Sequence, residues 1–178
     1  MTAIPIPSET ERRSNQAFDA LLTALSRPGL IQRLPQPGEA SIIEALLDRE
    51  CRVFCADPLL MPMVLATGAI VADLPAADHV FAGVLQDLDV VNGLDLGSDL
   101  YPDDGATLVV RGALDQGAKL RLTGPGIETA AEVNVGGLPA GFWELRRRRI
   151  RYPMGFDLFL VDGDRVLGVP RSTQVEVL

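Results

Sequence analysis

The stretch RVFCADPLLMPMVLATGAIVADLPAADHVFAGV, Arg52 to Val84, decides the fold. It opens on a strand-like run, Arg52–Ala56, passes through a helical stretch near Leu59–Thr67 and closes on a second strand-like run, His79–Val84. Strand, helix and strand in succession are the unit of layered α/β folds. The alternation continues outward. Strands are expected at Ala106–Gly112, Lys119–Thr123, Phe156–Val161 and Val166–Val169, and helices near Gln86–Gly93 and Phe142–Ile150. Gly124-Pro125-Gly126, Gly136-Gly137 and Asp162-Gly163-Asp164 read as turns, the last joining a C-terminal hairpin.

Upstream of this stretch, Ser8 and Glu11 form a capping box, the reciprocal pair that satisfies free N–H groups at a helix start. Ala17, Phe18, Leu21, Leu22 and Leu25 then recur as one helical stripe, which Pro28-Gly29 ends. Ser41 and Glu44 repeat the cap pattern ahead of Ile42, Ile43, Leu46 and Leu47. The reading is one α/β domain over residues 1–178, a mixed sheet flanked by helices, with residues 1–8 as a flexible N-terminal arm. A chain of 178 residues is long enough for one sizeable core.

Charged residues make up 22 % and hydrophobic residues 47 % of the chain, an ordinary globular composition. The net charge of -8 and a pI near 4.6 repel phosphate backbones, so general nucleic-acid binding is not expected. The longest apolar run, Leu59 to Ala72, is broken by Pro62 and Gly68 and falls short of the roughly 20 residues that span a bilayer. No secretory leader is visible, and two cysteines form no disulfide framework, so the expected address is the cytoplasm.

Scarcity excludes much chemistry. His79 is the single histidine, it stands at the start of an expected strand, and no G-x-S-x-G elbow accompanies it, so it reads as structural. Cys51 and Cys55, if on a strand, share a face about 13 Å apart at ~3.3 Å per residue, too far for a common zinc or a disulfide. They read as core packing, and no metal site is assigned. Lys119, the only lysine, alternates with Leu120 and Leu122 and so lies on the polar face of a half-exposed strand. Schiff-base chemistry needs a desolvated amine, which this position does not offer. Gly124-Pro125-Gly126 fails the dinucleotide spacing because Thr129 stands at the third glycine's position; Pro-Gly suits the centre of a type II turn.

Arg146–Arg149 with Arg151 carries +5, so the overall -8 leaves -13 elsewhere. Consecutive helical residues rotate by about 100°, so these side chains cannot form one flat face. Trp143, Leu145 and Ile150 suggest that one side packs inward. The run is either a solvated helix end favoured by the C-terminal dipole or a dock for an acidic partner or phosphate, with Arg146, Arg147 and Arg149 as the candidates. After Pro170, either the side chains of Arg171, Ser172 and Thr173 project from a sheet end, where α/β proteins often place ligand or partner contacts, or Arg171 pairs with a nearby carboxylate and the hydroxyls cap the turn. Removing Arg171 is accordingly expected to leave the chain folded with its stability almost unchanged.

Four segments, taken together, carry a family likeness: FDALLTALSRPG (Phe18 to Gly29), LRLTGPGI (Leu120 to Ile127), YPMGFDLFLV (Tyr152 to Val161) and VPRSTQVEV (Val169 to Val177). In this order and spacing the chain resembles the PhnH family, a subunit of the bacterial carbon–phosphorus lyase system. The likeness covers nearly the whole chain. It departs at Gln174, where a histidine is familiar, at Asp19, where arginine often stands, and at Leu25, where methionine is common. No catalytic role is carried to position 174.

The resemblance implies a fold similar to a reduced pyridoxal-phosphate-transferase domain without the cofactor. It implies a homodimer that joins other core subunits. With ATP and an alkylphosphonate, such a complex would release adenine and form ribose 1-alkylphosphonate 5-triphosphate, and this chain would be inactive alone. Gly124, Gly126, Asp157, Arg171, Ser172 and Thr173 are then candidate substrate or partner contacts, and none is assigned as catalytic. A competing expectation is a stand-alone phosphate or nucleotide enzyme using Asp157, Arg171, Ser172 and Thr173.

Overall fold

The computed structural model describes residues 7–178. Most of the expected N-terminal arm, residues 1–6, lies outside the described residues, while Ser8 is the N-cap of helix α1 (Glu9–Ser26). The Ser8 hydroxyl accepts from Glu11 N at 3.2 Å and the Glu11 carboxylate accepts from Ser8 N at 2.6 Å. The chain continues through β1 (Gln32–Arg33), α2 (Ala40–Leu46), β2 (Arg52–Cys55), α3 (Met61–Thr67), β3 (Ile70–Val71), β4 (His79–Val84) and α4 (Asp89–Gly93). It ends with β5 (Thr107–Arg111), β6 (Ala113–Thr123), β7 (Ala131–Gly136), α5 (Phe142–Arg149), β8 (Asp157–Asp162), β9 (Arg165–Val169) and β10 (Gln174–Val177).

The fold is α/β around a mixed sheet, as expected. Seven strands run in the order β1-β9-β8-β5-β4-β2-β3, of which β3, β2, β4, β5 and β8 are parallel while β9 and β1 add antiparallel. The β8–β9 hairpin pairs Asp162 with Arg165 across Gly163-Asp164. A second sheet, β10-β6-β7, is antiparallel throughout.

Strand alternation divides the core between two layers. Val53, Phe81, Val109 and Phe159 face one way, where Ala20, Leu21 and Ala24 of α1, Ile42 and Ile43 of α2 and Val64 of α3 cover them. Val80, Leu108, Val110, Leu158 and Leu160 face the other way, onto α4, α5 and the inner side of the small sheet, Leu120, Leu122 and Val135.

Two helix readings change. The buried stripe of α1 is Ala17, Ala20, Leu21 and Ala24, whereas Phe18 and Leu22 are 50 % and 56 % exposed. The reason is close approach: a Cβ on Gly168 of β9 would stand 2.6 Å from the backbone of Ala24, so only small residues fit between helix and strand. Ser41 does not cap α2. Glu39 holds the N-cap position, and Ser41 is buried with its hydroxyl 3.5 Å from the Gln36 carbonyl.

Candidate functional site

Helical spacing splits the arginine run. Phe142, Trp143, Leu145 and Arg146 are the buried residues of α5, which places Arg146 one turn after Phe142 on the inward side. Arg149 follows on that side, partly buried, and donates to the Leu94 carbonyl at 3.2 Å. Arg147 and Arg148 face solvent. Arg146 is therefore not on a solvated helix end; it is 2 % exposed. Its Nη1 donates to Thr173 O at 3.1 Å, and its Nη2 to Val169 O at 3.2 Å and Pro170 O at 2.8 Å. The guanidinium also lies 5.9 Å from the centre of the Phe156 ring. Burial pulls its pKa down to about 10, against a smaller upward pull from Asp157, so it is a cation at neutral pH. Arg146 Nε and Thr173 Oγ1 are buried with no hydrogen-bond partner among the described residues.

The segment that Arg146 grips is Val169 to Thr173. Thr173 N donates to Pro170 O at 2.9 Å, closing a turn between β9 and β10. Within that turn Arg171 points inward. Its backbone N–H donates to Asp157 Oδ1 at 2.7 Å, its Nη2 to Asp157 Oδ2 at 2.8 Å and to the Gly105 carbonyl at 3.1 Å, and its Nη1 to the Pro102 carbonyl. The structure takes the paired alternative for Arg171, which is tied to Asp157 and two carbonyls, and corrects the projection of Thr173, which is buried. Ser172 is half-exposed. Gly124 and Gly126 frame the expected turn, with Ile127 N donating to Gly124 O at 3.2 Å. Gly126 has φ +82° and packs so tightly that a Cβ would meet Ser26 O at 2.1 Å. That closeness leaves no room for a ligand between this turn and the end of α1.

The structure brings Arg146, Arg147, Arg171, Ser172 and Thr173 to the wall of one groove of about 800 Å³ between α5 and β10. Gly124, Gly126, Asp157 and Arg149 do not line it. A shallower depression of about 540 Å³ contains Lys119, but its cation is taken by Glu132 at 2.8 Å. Lys119 and Glu132 are both about half exposed, consistent with the polar face of the strand.

Sequence reading missed a third polar cluster. Arg111, the last residue of β5, donates from Nη2 to Asp57 Oδ2 at 2.8 Å and to Glu39 Oε2 at 3.2 Å. Its Nε lies 2.8 Å from Glu39 Oε1, off the hydrogen-bond direction. Asp57, just past β2, accepts from Leu59 N, and this bond first and then Arg111 hold its carboxyl below the usual range. The cluster sits at the carboxyl ends of parallel strands, beside the junction where β2 leads to α3 on one face and β4 to α4 on the other. Ligands of open α/β sheets gather at such junctions. The sequence offered only a partial signal, Asp57 just after the expected strand Arg52–Ala56 and Arg111 near the end of Ala106–Gly112, and nothing that joined Glu39 to them. Among the described residues, no three His, Cys, Asp or Glu side chains are grouped to hold a metal ion, and Cys51 and Cys55 are free thiols. No helix among them is long and apolar enough to cross a membrane.

These observations define an α/β protein with a small antiparallel annex, whose arginines and aspartates largely hold its own backbone in place. The chain belongs to the PhnH family: the model of the bacterial phosphonate metabolism protein (PhnH) matches residues 8–176. It is 34 % identical over 173 residues to the "Putative C-P lyase subunit protein HtxG" of Stutzerimonas stutzeri, covering 93 % of this chain and 87 % of that one. It is 35 % identical over 182 residues to the "Alpha-D-ribose 1-methylphosphonate 5-triphosphate synthase subunit PhnH" of Rhizobium meliloti (strain 1021), covering 92 % of this chain and 90 % of that one.

Proposed function

We propose that this chain is an accessory, non-catalytic subunit of a cytoplasmic carbon–phosphorus lyase complex. In that complex it supports the exchange of adenine on ATP for an alkylphosphonate, giving ribose 1-alkylphosphonate 5-triphosphate. Alone it is inactive and forms a homodimer. One observation supports the accessory role most directly: Asp157 and Arg171, the most reactive-looking polar pair, neutralise each other at 2.8 Å. The same pairing leaves the stand-alone phosphate enzyme without its main groups, since Arg171 has no free cation to offer an anion.

The test is genetic. Deleting the gene should abolish growth with methylphosphonate as sole phosphorus source and leave growth on inorganic phosphate intact. Complementation with an Asp157→Asn chain that still folds should restore growth, because no catalytic carboxylate is assigned there. Normal growth of the deletion strain would refute the reading. Light scattering of the purified chain should report about twice 19.1 kDa, and a clean monomer at micromolar concentration would refute the dimer.

A further inference from the structure

We propose that the free edge of β10, with the groove beside it, receives an extended acidic segment from another subunit, added as a fourth strand to the small sheet. The inference rests on the reading of the chain as a complex subunit. Among the described residues β10 is the last strand of its sheet, paired on one side only, with β6. Leu178 N donates to Lys119 O at 2.9 Å, in register with the pairs Glu176–Arg121 and Gln174–Thr123. In an antiparallel ladder, alternate residues turn their N–H and C=O to the same side. Gln174 and Glu176 therefore bond toward β6, and Val175 and Val177 turn their backbone groups to the open edge. A row of such groups is a template for another extended chain.

The groove follows this edge, because it is lined from both faces of β10 as well as by α5. The β10 side carries Val175 and Val177, the latter 52 % exposed, and the α5 side carries Trp143 and Ile150. Those are apolar contacts for alternate side chains of an added strand. Charge selects the occupant. Three arginines other than the Asp157-paired Arg171, namely Arg121, Arg146 and Arg147, line the groove against two glutamates, Glu144 and Glu176, on a chain whose net charge is -8. Arg121, Arg146 and Arg147 have no carboxylate within 4 Å among the described residues. A locally basic groove on an acidic protein attracts an acidic segment and disfavours a second copy of the same acidic chain.

The experiment uses the tagged full-length chain produced together with the other subunits of its complex. Proline at 177 removes an edge N–H that β6 does not use, and glutamate at 147 reverses an exposed groove charge. Val177→Pro and Arg147→Glu should each recover about tenfold less of the other subunits than the wild type, a loss near 1.4 kcal/mol. Arg33→Glu, at the far sheet edge and 74 % exposed, should recover the normal amount. In the wild-type complex the Val175 and Val177 amides should exchange hydrogen at least about tenfold more slowly than in the isolated chain.

Wild-type recovery by both groove variants, or unchanged exchange at these two amides, overturns the proposal while leaving complex membership intact. Protection that grows with concentration of the isolated chain assigns the edge to a second copy and also overturns it. Failure of the wild type to recover any subunit overturns the subunit reading itself, and this inference with it. Melting curves identify a variant that fails to fold. Arg147 is exposed, so its variant keeps the inference falsifiable even if Val177→Pro unfolds.

Discussion

The Arg171 guanidinium and the Asp157 carboxylate form a two-point contact: Nε lies 3.2 Å and Nη2 2.8 Å from Asp157 Oδ2. Both side chains are at least four-fifths covered, and the Arg171 backbone N–H adds a third bond to the same carboxylate. Removing Arg171 strands the Asp157 carboxylate and also frees the Pro102 and Gly105 carbonyls. Arg171→Ala should therefore destabilise the chain by about 2–3 kcal/mol rather than leave it unchanged. Denaturant melts of Arg171→Ala, Asp157→Asn and the double variant check this. The double variant should lose clearly less than the sum of the singles.

Arg146 offers a larger test because its three acceptors belong to one short segment. Arg146→Leu keeps the apolar stem and removes every bond to Val169, Pro170 and Thr173. The expected loss is about 3 kcal/mol, or roughly 6–12 °C in Tm for a chain of this size. Hydrogen exchange should show residues 170–178 loosening first. An unchanged melt would mean that solvent replaces these bonds without cost.

What the sequence discloses follows from the range of the forces involved. The β8–β9 hairpin was legible because alternation and its Gly163-Asp164 turn are local, and the Ser8–Glu11 cap for the same reason. β1 and β3, two residues each, have no local signature, since their pairing with β9 and β2 is wholly tertiary. The α1 stripe was misread because hydropathy ranks Phe18 above Ala24, while the clearance to Gly168 ranks them the other way. The groove was half legible: the arginines were visible, but only packing turns Arg146 inward and leaves Arg147 outside. Arg111, Asp57 and Glu39 are separated by 54 and 72 residues along the chain, which no pattern of spacing joins.

Lys119 bears on cofactor chemistry. Its amine meets Glu132 at 2.8 Å with both side chains about half in water, rather than in the desolvated pocket that Schiff-base chemistry needs. Incubation with pyridoxal phosphate should give no stable absorbance band that depends on Lys119. Lys119→Ala should change stability by less than about 0.5 kcal/mol, the scale of an exposed pair. A band abolished by that substitution would show the amine to be activated.

His79 sets the behaviour of the fold in mild acid. Burial lowers its pKa below the ordinary 6.5, outweighing the upward pulls of Asp78 and Asp48, and its Nδ1 is buried with no hydrogen-bond partner among the described residues. The unfolded chain therefore binds a proton at a pH where the native chain does not. Stability is fully present above about pH 6.5 and falls as pH drops below it, by at most about 1.4 kcal/mol per pH unit for one proton, until the native pKa is reached. The lowered carboxyls of Asp57, Asp78 and Asp162 act in the same direction, but only as pH falls through the carboxylate range near 4 and below. The interval from pH 6.5 to 5 thus belongs to the histidine. Denaturant melts across that interval should show declining stability in the wild type and a nearly flat profile in His79→Gln. A flat wild-type profile would mean that His79 is as well solvated in the native chain as in the unfolded one.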